Sequence, residues 1–365
     1  MTFDKNLYAV IMAGGKGERF WPQSRQANPK PLLKLVGDLT LIEQTVDRLK
    51  LLIPTENIII ITNKDYISPM ISLLPQLPAS NVIGEPVGKD TAPCIALATS
   101  IIQARNTSKD ATMIVLPADH VIKDTQYFVS TLKDCIVQAR KNKIVTIGIE
   151  PGFPSTGYGY IHCGEQISEN CETKFFKSLG FKEKPDLKTA TRFIEEKCYK
   201  WNSGIFIWTI GTISAAFKKY TPSIANAIEK ISQAITKNEF SKNLDEIYPS
   251  FEKVSIDYAI MEKTENVVVA EFASYWDDVG SWTALRNQIH PSENNNIIRG
   301  LVLPLDTENS IIVSDSNHLI ATVDLKDVIV VHTDDVTLVC NAKSAQKIKE
   351  LVHKLSTNKE LAKFT

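Results

Sequence analysis

No stretch of this 365-residue chain stays apolar for long. Its aliphatic runs are short, the four isoleucines Ile58–Ile61 being typical, against the roughly 20 residues that a membrane-spanning helix needs. The N-terminus carries Asp4 and Lys5 ahead of a strand-like run, not a basic stretch before a long apolar segment, so no secretion signal is expected. An excess of either charge is also missing. Lysine and arginine number 41 and aspartate and glutamate 42, a net charge of −1. Such a chain has no general attraction for nucleic acid or an anionic membrane, so an anionic ligand must be held by local groups. The six cysteines (Cys94, Cys135, Cys163, Cys171, Cys198 and Cys340) form no CxxC. This pattern reads as reduced structural thiols in a cytoplasmic protein, with no zinc site. What is present is ordinary globular material, 43% apolar and 23% charged, which excludes disorder, collagen and coiled coil as the main state. The length suits two domains.

The first half alternates short apolar runs with amphipathic stretches. Strands are expected at Leu7–Met12, Asn57–Thr62, Thr112–Leu116 and Ile144–Ile149, and helices at Leu41–Leu52, Ala92–Ala104 and Phe128–Ala139. Continuous Ile/Val strands between helices argue for a parallel sheet covered on both faces. The middle is more polar, with strands expected at Gly157–Cys163, Lys174–Lys182 and Asn202–Trp208 and helices at Leu187–Glu196, Thr212–Lys219 and Ser223–Ile235. It reads as an insertion that elaborates one edge of the sheet, which resumes at Asn266–Glu271. The polar stretch His290–Asn296 marks a boundary between a domain at 1–290 and a module at 297–365. Closely spaced β runs at Ile311–Val313, Leu319–Val323, Val328–Val331 and Thr337–Cys340 suggest stacked β-helix rungs in that module. A last amphipathic helix places Ala345, Ile348, Leu351, Val352 and Leu355 on one face.

Chemistry concentrates where strands end. Directly after Leu7–Met12 comes Ala13-Gly14-Gly15-Lys16-Gly17-Glu18-Arg19. Glycines at three of four positions let backbone N–H groups approach an anion without Cβ obstruction. Arg19, and Lys30 in Asn28-Pro29-Lys30-Pro31, add charge suited to a polyphosphate. The spacing fits neither the dinucleotide GxGxxG loop nor the GxxxxGK[ST] loop. Asp119 in Leu116-Pro117-Ala118-Asp119-His120 follows a strand at the sheet edge where open α/β folds bind ligands. A second carboxylate group lies in Trp276-Asp277-Asp278-Val279-Gly280. Strand-end carboxylates of this kind are suitable ligands for Mg²⁺, which prefers one or two carboxylates with phosphate oxygens and water. Thr156-Gly157-Tyr158-Gly159-Tyr160, Glu183-Lys184-Pro185 and Trp201-Asn202-Ser203-Gly204 resemble a small polar pocket. Glutamate and asparagine can bind vicinal hydroxyls there, and lysine a phosphate. No histidine pairs with a nucleophile; His120 reads as a structural neighbour.

The ordered set AGGKGERFWPQSR, NPKPLL, GEPVGKDTAPCIALA, VLPADH, PSTGYGYI, FKEKPD, WNSGIFIW, SIDYAIMEKT and WDDVGSW resembles the sugar nucleotidyltransferases, in their branch that uses GTP and mannose 1-phosphate. The resemblance spans about residues 7 to 355. It implies a Rossmann-like mixed, mostly parallel sheet with helices on both faces, followed by a β-helix-like module. It also implies transfer of GMP from GTP to α-D-mannose 1-phosphate with Mg²⁺. By resemblance, Gly14, Gly15, Gly17 and Arg19 wrap the triphosphate and Lys30 meets the reacting phosphates. The segment Glu85-Pro86-Val87-Gly88-Lys89-Asp90-Thr91 reads the guanine and ribose, with Glu85, Gly88 and Thr91 as contacts. Asp119 and Asp278 bind Mg²⁺, Gly157, Glu183 and Asn202 bind the mannose, and Lys184 its phosphate. Glu18 stands where the family has Thr, and Lys89-Asp90 where it has Arg-Asn. A different base or sugar, and a non-catalytic nucleotide-sugar sensor, are the alternatives. Small β modules after this fold commonly pair subunits, so a homodimer is expected. Residues 297–365 hold only His318, His332 and His353, unclustered, so no cupin-type isomerase activity is expected.

Overall fold

The computed structural model describes residues 3–167, 170–237, 239–315 and 317–365. Its order is β1 (Leu7–Ala13), α1 (Leu41–Leu49), β2 (Ile58–Asn63), α2 (Ile67–Leu73), β3 (Val82–Glu85), α3 (Thr91–Arg105), β4 (Thr112–Pro117), β5 (Val121–Ile122), α4 (Thr125–Ala139), β6 (Ile144–Ile149), β7 (Tyr160–Ile167) and β8 (Phe175–Lys182). Then come α5 (Leu187–Glu195), β9 (Tyr199–Thr209), α6 (Ile210–Tyr220), α7 (Pro222–Thr236), α8 (Phe240–Ile247), a π-helical turn (Asp257–Met261), β10 (Val267–Phe272) and β11 (Trp276–Asp277). Two compact units divide the chain. One is Met1–Gly14, Val46–Ala118 and Ile122–Trp276; the other is Gly15–Thr45, Asp119–Val121 and Asp277–Thr365.

The first unit is built on a nine-stranded sheet in the order β3-β2-β1-β4-β9-β6-β10-β8-β7. Strands β3, β2, β1 and β4 run parallel to one another, as do β6 and β10. They are the continuous Ile/Val runs, and sheet strands buried on both faces need that composition. Helix α3 is apolar all round and almost wholly buried, lying against α7. Helix α4 starts at Asp124, whose carboxylate accepts from Tyr127 N at 2.9 Å.

Strand β9 departs from the expected edge insertion. It lies in the middle of the sheet, antiparallel to both β4 and β6, and its first residues also pair with β7. Its polar residues misled because they are satisfied internally. Ser203 Oγ donates to Ile147 O at 2.7 Å, and Lys200 is buried against Glu271 at 2.7 Å and against Glu150.

In the second unit, Thr40 and Glu43 close a reciprocal capping box at the start of α1. Its C-terminal part carries β12 (Ile297–Arg299), β13 (Val302–Leu305), β14 (Ile311–Ser314), β15 (Ile320–Val323), β16 (Val328–His332), β17 (Thr337–Asn341) and α9 (Ile348–Thr357). Strands β12, β14 and β16 stack in parallel with Ile297, Ile311 and Ile329 in register, and β13 pairs with β15 in a second parallel ladder. Ile312, Ile320 and Val330 fill the space between the ladders. The final helix begins at Ile348, with Ala345 in a preceding 3₁₀ turn.

Candidate active site

In the second unit the glycine loop from Gly15 onward, Lys30, Asp119 and Asp278 come together. Lys30 Nζ donates to Asp119 Oδ2 and to the backbone oxygen of Asp278, both at 2.7 Å. Its aliphatic stem is buried, and the ammonium lies 5.8 Å from the centroid of the Phe20 ring. Gly17 explains why the loop needs glycine. Its φ is +69°, and a Cβ there would collide with the Lys30 side chain. Ser24 Oγ donates to Gly17 O at 2.7 Å and fixes the turn. Gly15 faces open space. Arg19 is turned toward the module, donating to Gln346 Oε1 at 3.2 Å.

Burial acts to raise the Asp119 carboxyl, but the Lys30 ammonium, with His120, outweighs it and holds the group below the ordinary carboxylate range. The neighbouring aspartates of the Trp276–Trp282 segment divide their work. Asp277 accepts from Val279 N at 2.7 Å, Asn287 Nδ2 at 3.2 Å and Gln288 Nε2 at 3.1 Å. It holds the turn, in which buried Val279 keeps φ at +45°. A β-branched residue there is strained. Asp278 presents its carbonyl to Lys30, and its carboxylate lies over Gly280.

A second cluster forms in the first unit. Lys184 Nζ meets Glu183 Oε1 at 2.9 Å. Asn202 N donates to Gly159 O at 2.8 Å, and Asn202 Nδ2 donates to Asp257 Oδ1 at 2.8 Å. The Asn202 side-chain oxygen accepts from Gly204 N at 3.1 Å. Gly159 lies under Glu183, and a Cβ there would push the Glu183 carboxylate, at Oε2, out of its present place. Gly157, singled out from sequence, instead donates to Ser155 Oγ at 3.2 Å and has room for a Cβ. Burial, and then repulsion from Glu183, raise the Asp257 carboxyl to about 7. Burial works to lower the Lys184 ammonium, but the hydrogen bond and charge of Glu183 outweigh it and raise it. Sequence reasoning gave Asp257 no role, although its segment SIDYAIMEKT belonged to the ordered motif set.

Also in the first unit, Glu85 ends β3 and is buried, its Oε1 accepting from the Tyr248 hydroxyl. A Cβ on Gly14 would come within 3.5 Å of Glu85 Oε2. The Lys89–Thr91 loop is clamped: Val254 N donates to Lys89 O at 3.3 Å, and Ile256 N to Thr91 Oγ1 at 2.8 Å. Thr91 therefore spends a lone pair on the backbone. Gly88 has open space beside it. Asp90, at φ +74°, caps α3 through Thr91 N.

Among the described residues no group of three or more His, Cys, Asp or Glu side chains could hold a metal ion. A two-carboxylate set such as Asp119 and Asp278 nevertheless fits a cation that takes its remaining ligands from phosphates and water. No helix of the described residues is long and apolar enough to cross a membrane.

Comparison with known proteins gives two family matches. A family described as "Nucleotidyl transferase" covers residues 8–294, and one described as "MannoseP isomerase/GMP-like beta-helix domain" covers 300–355. The Escherichia coli K12 protein named mannose-1-phosphate guanylyltransferase is 37% identical over 355 residues, 96% of this chain and 74% of that one. Mannose-1-phosphate guanylyltransferase ManC of Salmonella typhimurium is 36% identical over 355 residues, again 96% and 74%. A solved Thermus thermophilus structure described as a mannose-1-phosphate geranyltransferase is 31% identical with a TM-score of 0.84, covering 96% of this chain and 99% of that one.

Proposed function

We infer the reaction from a premise of kinship: this chain belongs to the nucleotidyl transferase family, among its mannose-1-phosphate guanylyltransferases. It is an enzyme that transfers GMP from GTP to α-D-mannose 1-phosphate, forming GDP-mannose and pyrophosphate. The observation that carries activity, as against a silent relative, is Lys30 joined at 2.7 Å to the Asp119 carboxylate and to the backbone oxygen of Asp278.

In this reading a phosphate oxygen of the sugar attacks the α-phosphorus in line, and the bond to the pyrophosphate oxygen breaks on the far side. The nucleophile is already anionic, so no side chain need remove a proton. The protein's work is to bring two polyanions together and offset their repulsion. Gly14, Gly15 and Gly17 offer backbone donors to the triphosphate, with Arg19 beside them. Lys30, held ready on Asp119, meets the reacting phosphates. Glu85, Gly88 and Thr91 surround the nucleoside. Gly157, Glu183 and Asn202 take the sugar hydroxyls and Lys184 the sugar phosphate.

The family generally works with a divalent cation. Here it would be Mg²⁺, held by Asp119 and Asp278, and when bound it supplies charge neutralisation on the phosphate oxygens. The enzyme would act in the cytoplasm as a homodimer. Support for a dimer comes from an exposed apolar row on β13 and around β15, where Leu301, Leu303, Leu305, Leu319 and Val323 all face solvent. The test of the reaction is its reverse. With pyrophosphate and Mg²⁺, the protein should cleave GDP-mannose to GTP and mannose 1-phosphate; faster cleavage of UDP-glucose would overturn the assignment.

A further inference from the structure

We propose that Tyr248 is a specificity-determining positioning residue, whose hydroxyl fixes the Glu85 carboxylate to accept the N1–H and N2–H donors of guanine. This rests on the reading of segment 85–91 as the nucleoside site. Glu85 stands at the C-terminal end of a parallel strand, the edge at which such sheets bind ligands. Tyr248 is completely buried and lies 163 residues further along the chain. Its hydroxyl occupies Glu85 Oε1. The other oxygen lies next to Gly14 in the glycine loop, 3.5 Å from where a Cβ would stand. An ionised carboxylate only accepts hydrogen bonds. It therefore matches the two adjacent donors on guanine and opposes adenine, which places the acceptor N1 there. A buried polar group left unpaired by the wrong base is a strong source of discrimination.

The charge state of Glu85 is poised. Burial raises its carboxyl to about 7, Asp90 at the start of α3 pushes the same way, and the Tyr248 hydrogen bond opposes both. Cys94 on α3 is a further titratable neighbour, whose thiol burial holds well above its ordinary range. Tyr248 thus helps keep Glu85 ionised near neutral pH. Its loss should cost both the aim and the charge of the acceptor.

The experiment compares wild type, Tyr248→Phe and Glu85→Gln with GTP and with ITP, which lacks only the N2 amine, at saturating mannose 1-phosphate across pH 5.5–9 (roughly a decade or two either side of the expected carboxyl titration). Tyr248→Phe should lower kcat/KM for GTP about 10-fold to 100-fold, the range for a hydrogen bond to a charged group. The loss should fall on KM, the GTP-to-ITP preference should shrink, and the acid limb of kcat/KM should move to higher pH. Glu85→Gln should abolish that limb and bring the preference close to one. A wild-type GTP-to-ITP ratio and an unmoved acid limb in Tyr248→Phe overturn the proposal. If that variant does not fold, an unchanged ratio in Glu85→Gln overturns it. Wild-type protein inert toward GTP and mannose 1-phosphate would instead refute the assigned reaction.

Discussion

Lys30 holds two acceptors at once, so its removal frees the Asp119 carboxylate and the Asp278 turn together. Lys30→Met is expected to lower kcat by about 10²–10³-fold, the usual cost of one electrostatic donor. Steady-state pyrophosphate release checks it, with circular dichroism to show an intact fold. Asp119→Asn and Asp278→Asn should likewise nearly abolish turnover at limiting Mg²⁺, whereas near-normal rates in either would exclude that residue as a ligand. Two carboxyls, buried Glu85 and half-buried Asp257, predict an unusual pH dependence of stability. Glu85 and Asp257 rise from ordinary values of 4.5 and 3.8 to about 7. The folded state then binds more protons than the unfolded chain between those limits. Their contribution favours folding at low pH and is lost as pH rises toward 7. Melting temperatures of Glu85→Gln with Asp257→Asn should show a flatter profile across that window; an unchanged slope would contradict it. At this scale the sequence carried the motif residues but not their division of labour. Asp277 and Asp278 are adjacent and chemically alike, and only the hydrogen bonds of Asp277 mark it as the anchor. Asp257 was hidden because its partner Asn202 lies 55 residues away.

Elements with one unbroken apolar signature were easy to read, and β1, β2, β4, β6 and α3 lie close to where their Ile, Val and Ala runs put them. Strand β9 was legible as a strand but not as a central one, because alternation with Lys200, Asn202 and Ser203 resembles a solvent-facing edge. Pairing across the sheet is invisible to local pattern. Here it supplies Glu271 from β10 and the carbonyl of Ile147 from β6. Burial works against ionisation of Glu271, yet Lys200 overcomes it and holds the carboxyl below its ordinary range. Lys200→Met should therefore destabilise the fold by about 1–3 kcal/mol. This is less than the 3–5 kcal/mol of a fully buried broken pair, because Glu150 is exposed. Urea unfolding measures it, and a loss under 0.5 kcal/mol, as for an ordinary surface substitution, would mean that the pair is not structural. The adjoining Trp201-Asn202 segment should shift with it, so KM for mannose 1-phosphate is expected to rise in the same variant.

Across the whole molecule, compactness does not follow the polar stretch at His290–Asn296. Residues Gly15–Thr45 pack in the same unit as the C-terminal module. Arg25 pairs with Asp335 at 2.7 Å, Trp21 Nε1 donates to Phe364 O at 2.7 Å, and Trp282 Nε1 donates to Trp21 O at 3.1 Å. Truncation after Asn296 would strip Asp335 and Phe364 from the phosphate-loop segment, leaving it only Trp282 of these partners, so activity is expected to collapse whatever the oligomeric state. Oligomerisation is better probed by Leu303→Glu with Leu305→Glu on the exposed row. That pair should halve the mass seen by light scattering if the row is the dimer face, and leave it unchanged if it is not. The central claim, guanylyl transfer to mannose 1-phosphate, has a more direct test. Pyrophosphate release by the purified protein, measured with Mg²⁺ across the nucleoside triphosphates and several hexose 1-phosphates, should be fastest with GTP and mannose 1-phosphate and negligible when either is omitted; faster release from UTP with glucose 1-phosphate would contradict it.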